Sequence, residues 1–153
     1  MIVETVCVAI IGKDADAGEV LALGFNLFPS DKAIMLTYGG SEANAKRVGD
    51  GLPKPMKAET RALSEMSFEG VFKAVSDIKA DNPGKRIVLN TDTDYRTSCI
   101  ALSAAFVNGI QAIGVLDERI VAYPIMKFSY YSALSDKKIM ILKILAQNDG
   151  VKS

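Results

Sequence analysis

The chain has 153 residues, of which 49% are hydrophobic and 24% are charged, as is typical of one globular domain with its own core. Lysine plus arginine and aspartate plus glutamate number 18 each, which excludes a general attraction to nucleic acid or to an anionic membrane surface. There is no histidine, which excludes the usual general base at neutral pH, the triads that depend on it and most zinc sites.

The sequence shows no signal for export or membrane insertion. No basic region opens it and no apolar run reaches ~18 residues, so we expect neither a signal peptide nor a membrane span. Cys7 falls in a predicted strand and Cys99 at a predicted helix start. We expect both to be small buried hydrophobic residues in a reducing cytoplasm, where disulfides are rare.

Strands and helices alternate along the first half of the chain. The run TVCVAII at residues 5–11 is apolar throughout and predicts a strand covered on both faces. Residues 56–63 alternate small or apolar side chains with charged ones, which predicts a half-exposed strand near a sheet edge. A further strand is predicted at residues 32–38, and helices are predicted at 17–28 and 42–48, with Asp16 and Ser41 as their N-caps.

The second half continues this alternation and ends in a hairpin and a helix. Ser67 is a good N-cap residue, and apolar residues at helical spacing after it predict a helix through Ile78. The remaining predictions are a strand at 86–89, a helix at 98–108, hairpin strands at 111–116 and 119–123, and a terminal helix after Ser135. This order predicts a three-layer, Rossmann-like α/β fold: a mostly parallel sheet, a C-terminal antiparallel hairpin and a terminal helix.

Two of the predicted helices carry apolar residues that need a partner. The helix at 98–108 is apolar on nearly all sides, so we expect it to lie between the sheet and a second surface, such as another copy of the chain. The terminal helix places Ile139, Leu142 and Leu145 on one face. It either packs back on the domain, packs on a second chain, or leads into another domain.

Ligands in open α/β sheets collect at the carboxyl ends of the strands, near helix N-termini. Three predicted junctions lie there, at residues 12–16, 39–41 and 90–98. No glycine pattern matches a Walker loop or GxGxxG, so a standard mononucleotide or NAD site is not expected. A simple chain reversal with a helix cap is enough to explain the residues at 39–41. In the first junction, Lys13 is either a cation that binds a ligand or a solvent-exposed side chain.

The third junction, residues 90–98, is hereafter the polar segment. A plain strand-to-helix turn needs two to six residues and one cap, which Asp94 could supply beside Thr97. This segment has more polar groups than that. They are the hydroxyls of Thr91, Thr93, Thr97 and Ser98, the carboxylates of Asp92 and Asp94, Tyr95 and Arg96. We therefore expect the polar segment to contact a ligand.

The order of elements resembles the CRISPR-associated Rossmann fold (CARF) domains over nearly the whole chain. The likeness lies in the Gly-Gly after the second strand, the helix SFEGVFKAVSDI, a strand ending in Asn-Thr, an alanine-rich helix, a hairpin ending in AYPI, and LSDKKIMILKIL. In that family a stretch like Asn-Val-Thr-Gly-Gly-Thr-Lys binds cyclic oligoadenylate across a homodimer axis. The resemblance implies a ligand-sensing domain at 1–133. Residues 134–153 are similar to the opening helix of the winged helix-turn-helix fused behind such domains in archaeal regulators.

The polar segment departs from the family's stretch in several positions. Asn90 and Thr91 match it, Asp92 and Thr93 stand in place of the two glycines, Asp94 replaces the hydroxyl residue, and Arg96 lies near the place of the lysine. A carboxylate ~4 Å from a phosphate opposes binding by roughly 4 kcal/mol at a partly wet site. The N–H groups and dipole at a helix N-terminus favour a bound anion by at most ~2 kcal/mol. Polyphosphate binding is therefore expected to fail if both aspartates face the pocket, and to survive if they turn to other partners.

The resemblance, together with the polar segment, implies a homodimeric, non-catalytic domain that binds a cyclic oligoadenylate or another nucleotide and passes the signal to an attached segment. No metal, cofactor or membrane partner is predicted, and DNA would be bound only through a segment outside this sequence. The predicted ligand contacts are Gly12, Lys13, Asn90, Thr91, Asp92, Thr93, Arg96 and Thr97. Two alternatives stay open: a ring nuclease that cleaves cyclic oligoadenylate, and a regulator's dimerisation domain with a degenerate pocket.

Overall fold

A computed structural model describes residues 3–12, 26–28, 30–124 and 136–147. Within these residues the strands are β1 (Thr5–Ile10), β2 (Lys32–Thr37), β3 (Lys57–Ala62), β4 (Arg86–Asn90), β5 (Gln111–Leu116) and β6 (Arg119–Tyr123). The helices are α1 (Glu42–Asp50), α2 (Phe68–Asp81), α3 (Tyr95–Asn108) and α4 (Asp136–Gln147). Of the helix predicted at 17–28, only residues 26–28 are described, and 26 and 27 are helical.

The six strands form one sheet in the order β3-β2-β1-β4-β5-β6. Neighbouring strands are parallel except for β5 and β6, which form the antiparallel hairpin. The chain builds outward from β1 to β3, then returns to the other side of β1 for β4, so β1 and β4 flank the point where the strand order reverses. This arrangement confirms the predicted Rossmann-like α/β fold.

Helices cover both faces of the central strands and produce three layers. Alternate residues of β1 pack toward α2 and α3 on one face, in a core that includes Val8 and Val75. The residues between them, including Cys7, pack with Ala45 of α1 on the other face. Because β1 is buried on both sides, its sequence is apolar without a break. Burial raises the pKa of the Cys7 thiol to about 12, so this cysteine is a hydrophobic core residue, as predicted.

Local signals set the ends of the helices. The Ser67 hydroxyl accepts a 3.0 Å hydrogen bond from the Gly70 N–H, which confirms the predicted N-cap of α2. A Cβ on Gly70 would lie 2.1 Å from the Glu65 carbonyl oxygen, so this helical position requires glycine. Ser41 precedes α1 as predicted, but its hydroxyl accepts from the Tyr38 N–H (2.9 Å) and makes no capping hydrogen bond.

The start of α3 and the burial of Cys99 differ from the predictions. α3 begins at Tyr95, three residues before the predicted start at Ser98, because Asp94 provides the N-cap. Cys99 is exposed, so the prediction that it is a buried hydrophobic residue is wrong. The buried face of α3 includes Ala101 and Ala104, and Cys99 lies off this face.

The outer elements are more polar or more exposed. The edge strand β3 is half-exposed as predicted, and Glu59 on it bridges Lys32 and Arg61 at 2.9 and 2.7 Å. α4 leaves Met140 and Ile141 largely exposed, and its predicted cap, Ser135, lies outside the described residues. Among the described residues, no helix is long and apolar enough to cross a membrane.

Candidate ligand-binding site

The carboxyl ends of β1 and β4 lie side by side, with Ala9 opposite Asn90. Beyond β1 the chain stays extended, since the Ile11 N–H donates to the Leu36 carbonyl at 2.9 Å. The carbonyl of Gly12 then accepts a 2.9 Å hydrogen bond from the buried Asn44 amide of α1. Gly12 is thereby fixed against α1, two residues beyond the end of β1, whereas Lys13 lies outside the described residues.

The side chain of Asn90 is the first polar group after the core of β4. Asn90 is 2% exposed, and its Oδ1 accepts the Asp92 N–H at 2.9 Å. Because Oδ1 is fixed as an acceptor, Nδ2 is identified as the donor end of the amide. Nδ2 is buried and has no hydrogen-bond partner within the described part of the chain.

Thr91 ties the polar segment to the neighbouring strand. Its N–H and its Oγ1 both donate to the Ile113 carbonyl of β5, at 2.9 and 3.0 Å. The Ser98 hydroxyl in turn donates to the Thr91 carbonyl. These bonds give Thr91 a structural part in the site, and its hydroxyl is already paired.

Asp92 bridges from the polar segment to β5. Its Oδ2 accepts the Val115 N–H at 2.9 Å. Burial raises the pKa of Asp92, and the bond from Val115 opposes this shift. A Cβ on Gly114 would lie 3.1 Å from the Tyr123 Oη, so glycine makes room for the Tyr123 side chain, which lies beside Asp92.

Thr93 and Asp94 complete the turn into α3. The Oγ1 of Thr93 is buried and, like the Asn90 amide nitrogen, has no hydrogen-bond partner among the residues described. The Oδ1 of Asp94 accepts the Thr97 N–H at 3.0 Å, which is the N-cap bond that the sequence suggested. Hydrogen bonds from the N–H and the hydroxyl of Thr97, with others from the Asp94 and Arg96 N–H groups, lower the pKa of Asp94.

The structure brings most of the predicted ligand contacts together. The polar segment and the first turn of α3 contain Asn90, Thr91, Asp92, Thr93, Arg96 and Thr97, with Gly12 at the end of the adjacent strand. Of these, Arg96 is exposed and Thr97 is buried. The described residues contain no group of three or more acidic or cysteine side chains placed to hold a metal ion.

The two buried side-chain atoms without a partner in the described part both belong to this segment. Leaving such an atom unpaired costs about 1–3 kcal/mol, so native proteins rarely keep one without a use. The site therefore offers one amide donor and one hydroxyl, both neutral. These groups can pair with oxygen or nitrogen acceptors of a polar ligand.

Three residues of the site were missed by reasoning from the sequence. Asn44 fixes Gly12, Val115 holds Asp92, and Tyr123 packs over Gly114 beside Asp92. A single glycine inside a strand is a known sign of close approach by another group, so Gly114 was the available signal. Nothing near Asn44 or Val115 in the sequence marks them.

No known protein-family model matches the sequence, and no curated protein matches it. Among solved structures, protein VC1899 from Vibrio cholerae superposes with a TM-score of 0.57 and 11% identity, over 82% of this chain and 37% of that one. Can2 from Sulfobacillus thermosulfidooxidans, solved in complex with cyclic tetra-adenylate (cA4), gives a TM-score of 0.59 and 13% identity, over 79% of this chain and 37% of its own. This chain thus spans little more than a third of either neighbour, and the likeness supports the CARF-like fold predicted from the sequence.

Proposed function

We propose that the chain is a ligand-sensing domain that binds a cyclic oligoadenylate, or a related nucleotide, where β1 and β4 end. The observation that carries this proposal is the pair of buried, partnerless polar atoms, Asn90 Nδ2 and Thr93 Oγ1, at the reversal point of the strand order. Open α/β sheets bind their ligands at this position. The fold shared with Can2, whose structure contains cA4, supports the choice of ligand class.

The ligand would be held mainly by neutral hydrogen bonds. Asn90 Nδ2 donates to an acceptor such as an adenine ring nitrogen, and the Thr93 hydroxyl pairs with a ribose or phosphate oxygen. Arg96 is exposed at the start of α3 and supplies a positive charge for the ligand's backbone.

The two aspartates repel an anionic ligand, and their contacts fix where that repulsion acts. One oxygen of Asp92 is bound to the Val115 N–H, and Asp94 is bound to the first turn of α3. Both carboxylates are therefore engaged by the protein's own main chain. Asp94 keeps its negative charge there, so the proposal places the ligand's phosphates toward the exposed Arg96 side chain.

We further propose that two copies of the chain form the sensing unit. On α3, Leu102 packs against the core, whereas the half-buried Phe106 and the 63%-exposed Val107 leave apolar surface open to solvent. Apolar side chains grouped in this way on a surface mark a contact site for another protein. A ligand that binds both copies would change their relative orientation, and α4 and the segment after it would transmit that change.

Isothermal titration calorimetry with cA4 tests the proposal, with light scattering on the same sample to give the oligomeric state. We expect saturable binding with one cA4 for two chains, and no comparable binding of AMP. Intact, folded dimers that bind no cyclic oligoadenylate would overturn the nucleotide assignment. Incubation with labelled cA4 separates the enzyme from the sensor, because linear products would identify a ring nuclease.

A further inference from the structure

The N-terminus of a long helix is the usual phosphate-binding position in folds of this class, since its free N–H groups and the helix dipole favour an anion. α3 has 14 residues and begins directly after the polar segment, so its N-terminus faces the candidate site. In this chain, however, a side chain of the protein already occupies the anion-binding position at the N-terminus of α3. The carboxylate of Asp94 accepts a 3.0 Å hydrogen bond from the Thr97 N–H and also interacts with the Arg96 N–H.

A carboxylate is not required to cap a helix here. α2 also has 14 residues, and its N-cap is the hydroxyl of Ser67, which accepts the Gly70 N–H at 3.0 Å. A neutral Ser at position 94 would make the corresponding bond, since Ser and Asp are about equal as N-caps. What distinguishes Asp94 from such a Ser is its negative charge at the N-terminus of α3. Its pKa is lowered by the Thr97 N–H and the other donors around it, so it is ionised at neutral pH.

We propose that Asp94 is a specificity-determining residue that excludes ligand phosphates from the N-terminus of α3. The inference rests on the proposed function, because it states how the same site selects its ligand. Because Asp94 occupies the anion-binding position at the helix N-terminus, the hydrogen bonds left for a ligand come from the unpaired Nδ2 of Asn90 and the Thr93 hydroxyl. These favour the base and ribose of a nucleotide, and the phosphates lie toward Arg96. Inorganic phosphate and other simple anions are thereby rejected.

The test replaces Asp94 in two ways and uses inorganic phosphate as the probe. Asp94→Ser removes both the charge and the bulk, and Asp94→Asn removes the charge and keeps the shape and the cap. The amide signals of Tyr95, Arg96 and Thr97 are followed by NMR as phosphate is added. Asp77→Asn is the matched control, since it removes one charge from an exposed position near the other end of α2.

We expect saturable shifts at these amides in Asp94→Ser, with phosphate affinity raised about tenfold or more over the wild type and the control. Asp94→Asn should show a smaller gain. Equal phosphate binding by the wild type would overturn the inference. So would a folded Asp94→Asn or Asp94→Ser protein that gains nothing.

Titration of the same proteins with cA4 separates this inference from the proposed function. A wild type that binds cA4, with variants that gain no phosphate binding, refutes the part assigned to Asp94 alone. Variants that gain phosphate binding while no protein binds cA4 refute the ligand class alone and leave the exclusion by Asp94 in place.

Discussion

Replacing Thr93 with valine should strengthen the fold and weaken ligand binding. The Oγ1 of Thr93 is buried without a hydrogen-bond partner in the described part of the protein, and an unpaired group of this kind costs about 1–3 kcal/mol. Valine has the same shape and no hydroxyl, so Thr93→Val removes that cost. We expect the free energy of unfolding to rise by about 1 kcal/mol, or about 2–4 °C in Tm for a chain of this length.

Thr91→Val is the matched control, because the Thr91 hydroxyl is paired. It donates to the Ile113 carbonyl at 3.0 Å, and its loss should lower the free energy of unfolding by about 0.5–1.5 kcal/mol. The Ile113 carbonyl keeps the Thr91 N–H at 2.9 Å, so the loss should stay at the lower end. The same chemical change is thus expected to have opposite effects two residues apart.

Urea unfolding followed by circular dichroism measures both variants, and calorimetry with cA4 measures the ligand. If Thr93 contacts the ligand, Thr93→Val should weaken cA4 binding by about threefold to tenfold, the value of one neutral hydrogen bond. A Thr93→Val protein destabilised as much as Thr91→Val would refute the claim that this hydroxyl is unpaired. A stabilised variant with unchanged cA4 affinity would refute the ligand contact.

Three further substitutions test the site and the fold. Asp92→Asn keeps the acceptor for Val115 and should raise the free energy of unfolding at pH 7, since burial raises the folded pKa of Asp92. In urea titrations this gain should shrink as the pH falls and vanish below 3.8, the ordinary pKa of the carboxyl. Asp94→Ala removes a cap and should lower the free energy of unfolding by about 1 kcal/mol at pH 7. Because the folded pKa of Asp94 is lowered, the difference in unfolding free energy from the wild type should narrow below pH 3.8. A difference that stays constant with pH would contradict the assignment of Asp94 as a charged cap. Gly70→Ala puts a Cβ 2.1 Å from the Glu65 carbonyl oxygen and should lower the free energy of unfolding, measured in urea, by about 3 kcal/mol. A decrease of less than about 1 kcal/mol would contradict the close contact between Gly70 and Glu65.

The fold was largely predictable because its signals are local. The unbroken apolar run of β1, the alternation in β3 and the cap at Ser67 each follow from side chains within a few residues. The exposure of Cys99 was not predicted, because α3 is apolar on nearly all sides and its sequence does not show which face packs on the sheet.

The location of the site was predictable, but its hydrogen bonds were not. The carboxyl end of β4 is expected to hold ligands in any sheet of this kind. The partner of Asp92 is Val115, which lies 23 residues away on another strand, and no local pattern indicates it. The unpaired Nδ2 of Asn90 likewise depends on how the side chain turns toward the Asp92 N–H.

The central claim is that a nucleotide binds to the groups left unpaired at the ends of β1 and β4. The most direct measurement follows the side-chain amide signals of the asparagines by NMR while cA4 is added. The account predicts a saturable shift of the Asn90 signal, with no change for Asn82, whose amide donates to the Ile78 carbonyl at 2.7 Å at the end of α2. An Asn90 signal that stays in place at saturating cA4 would contradict it.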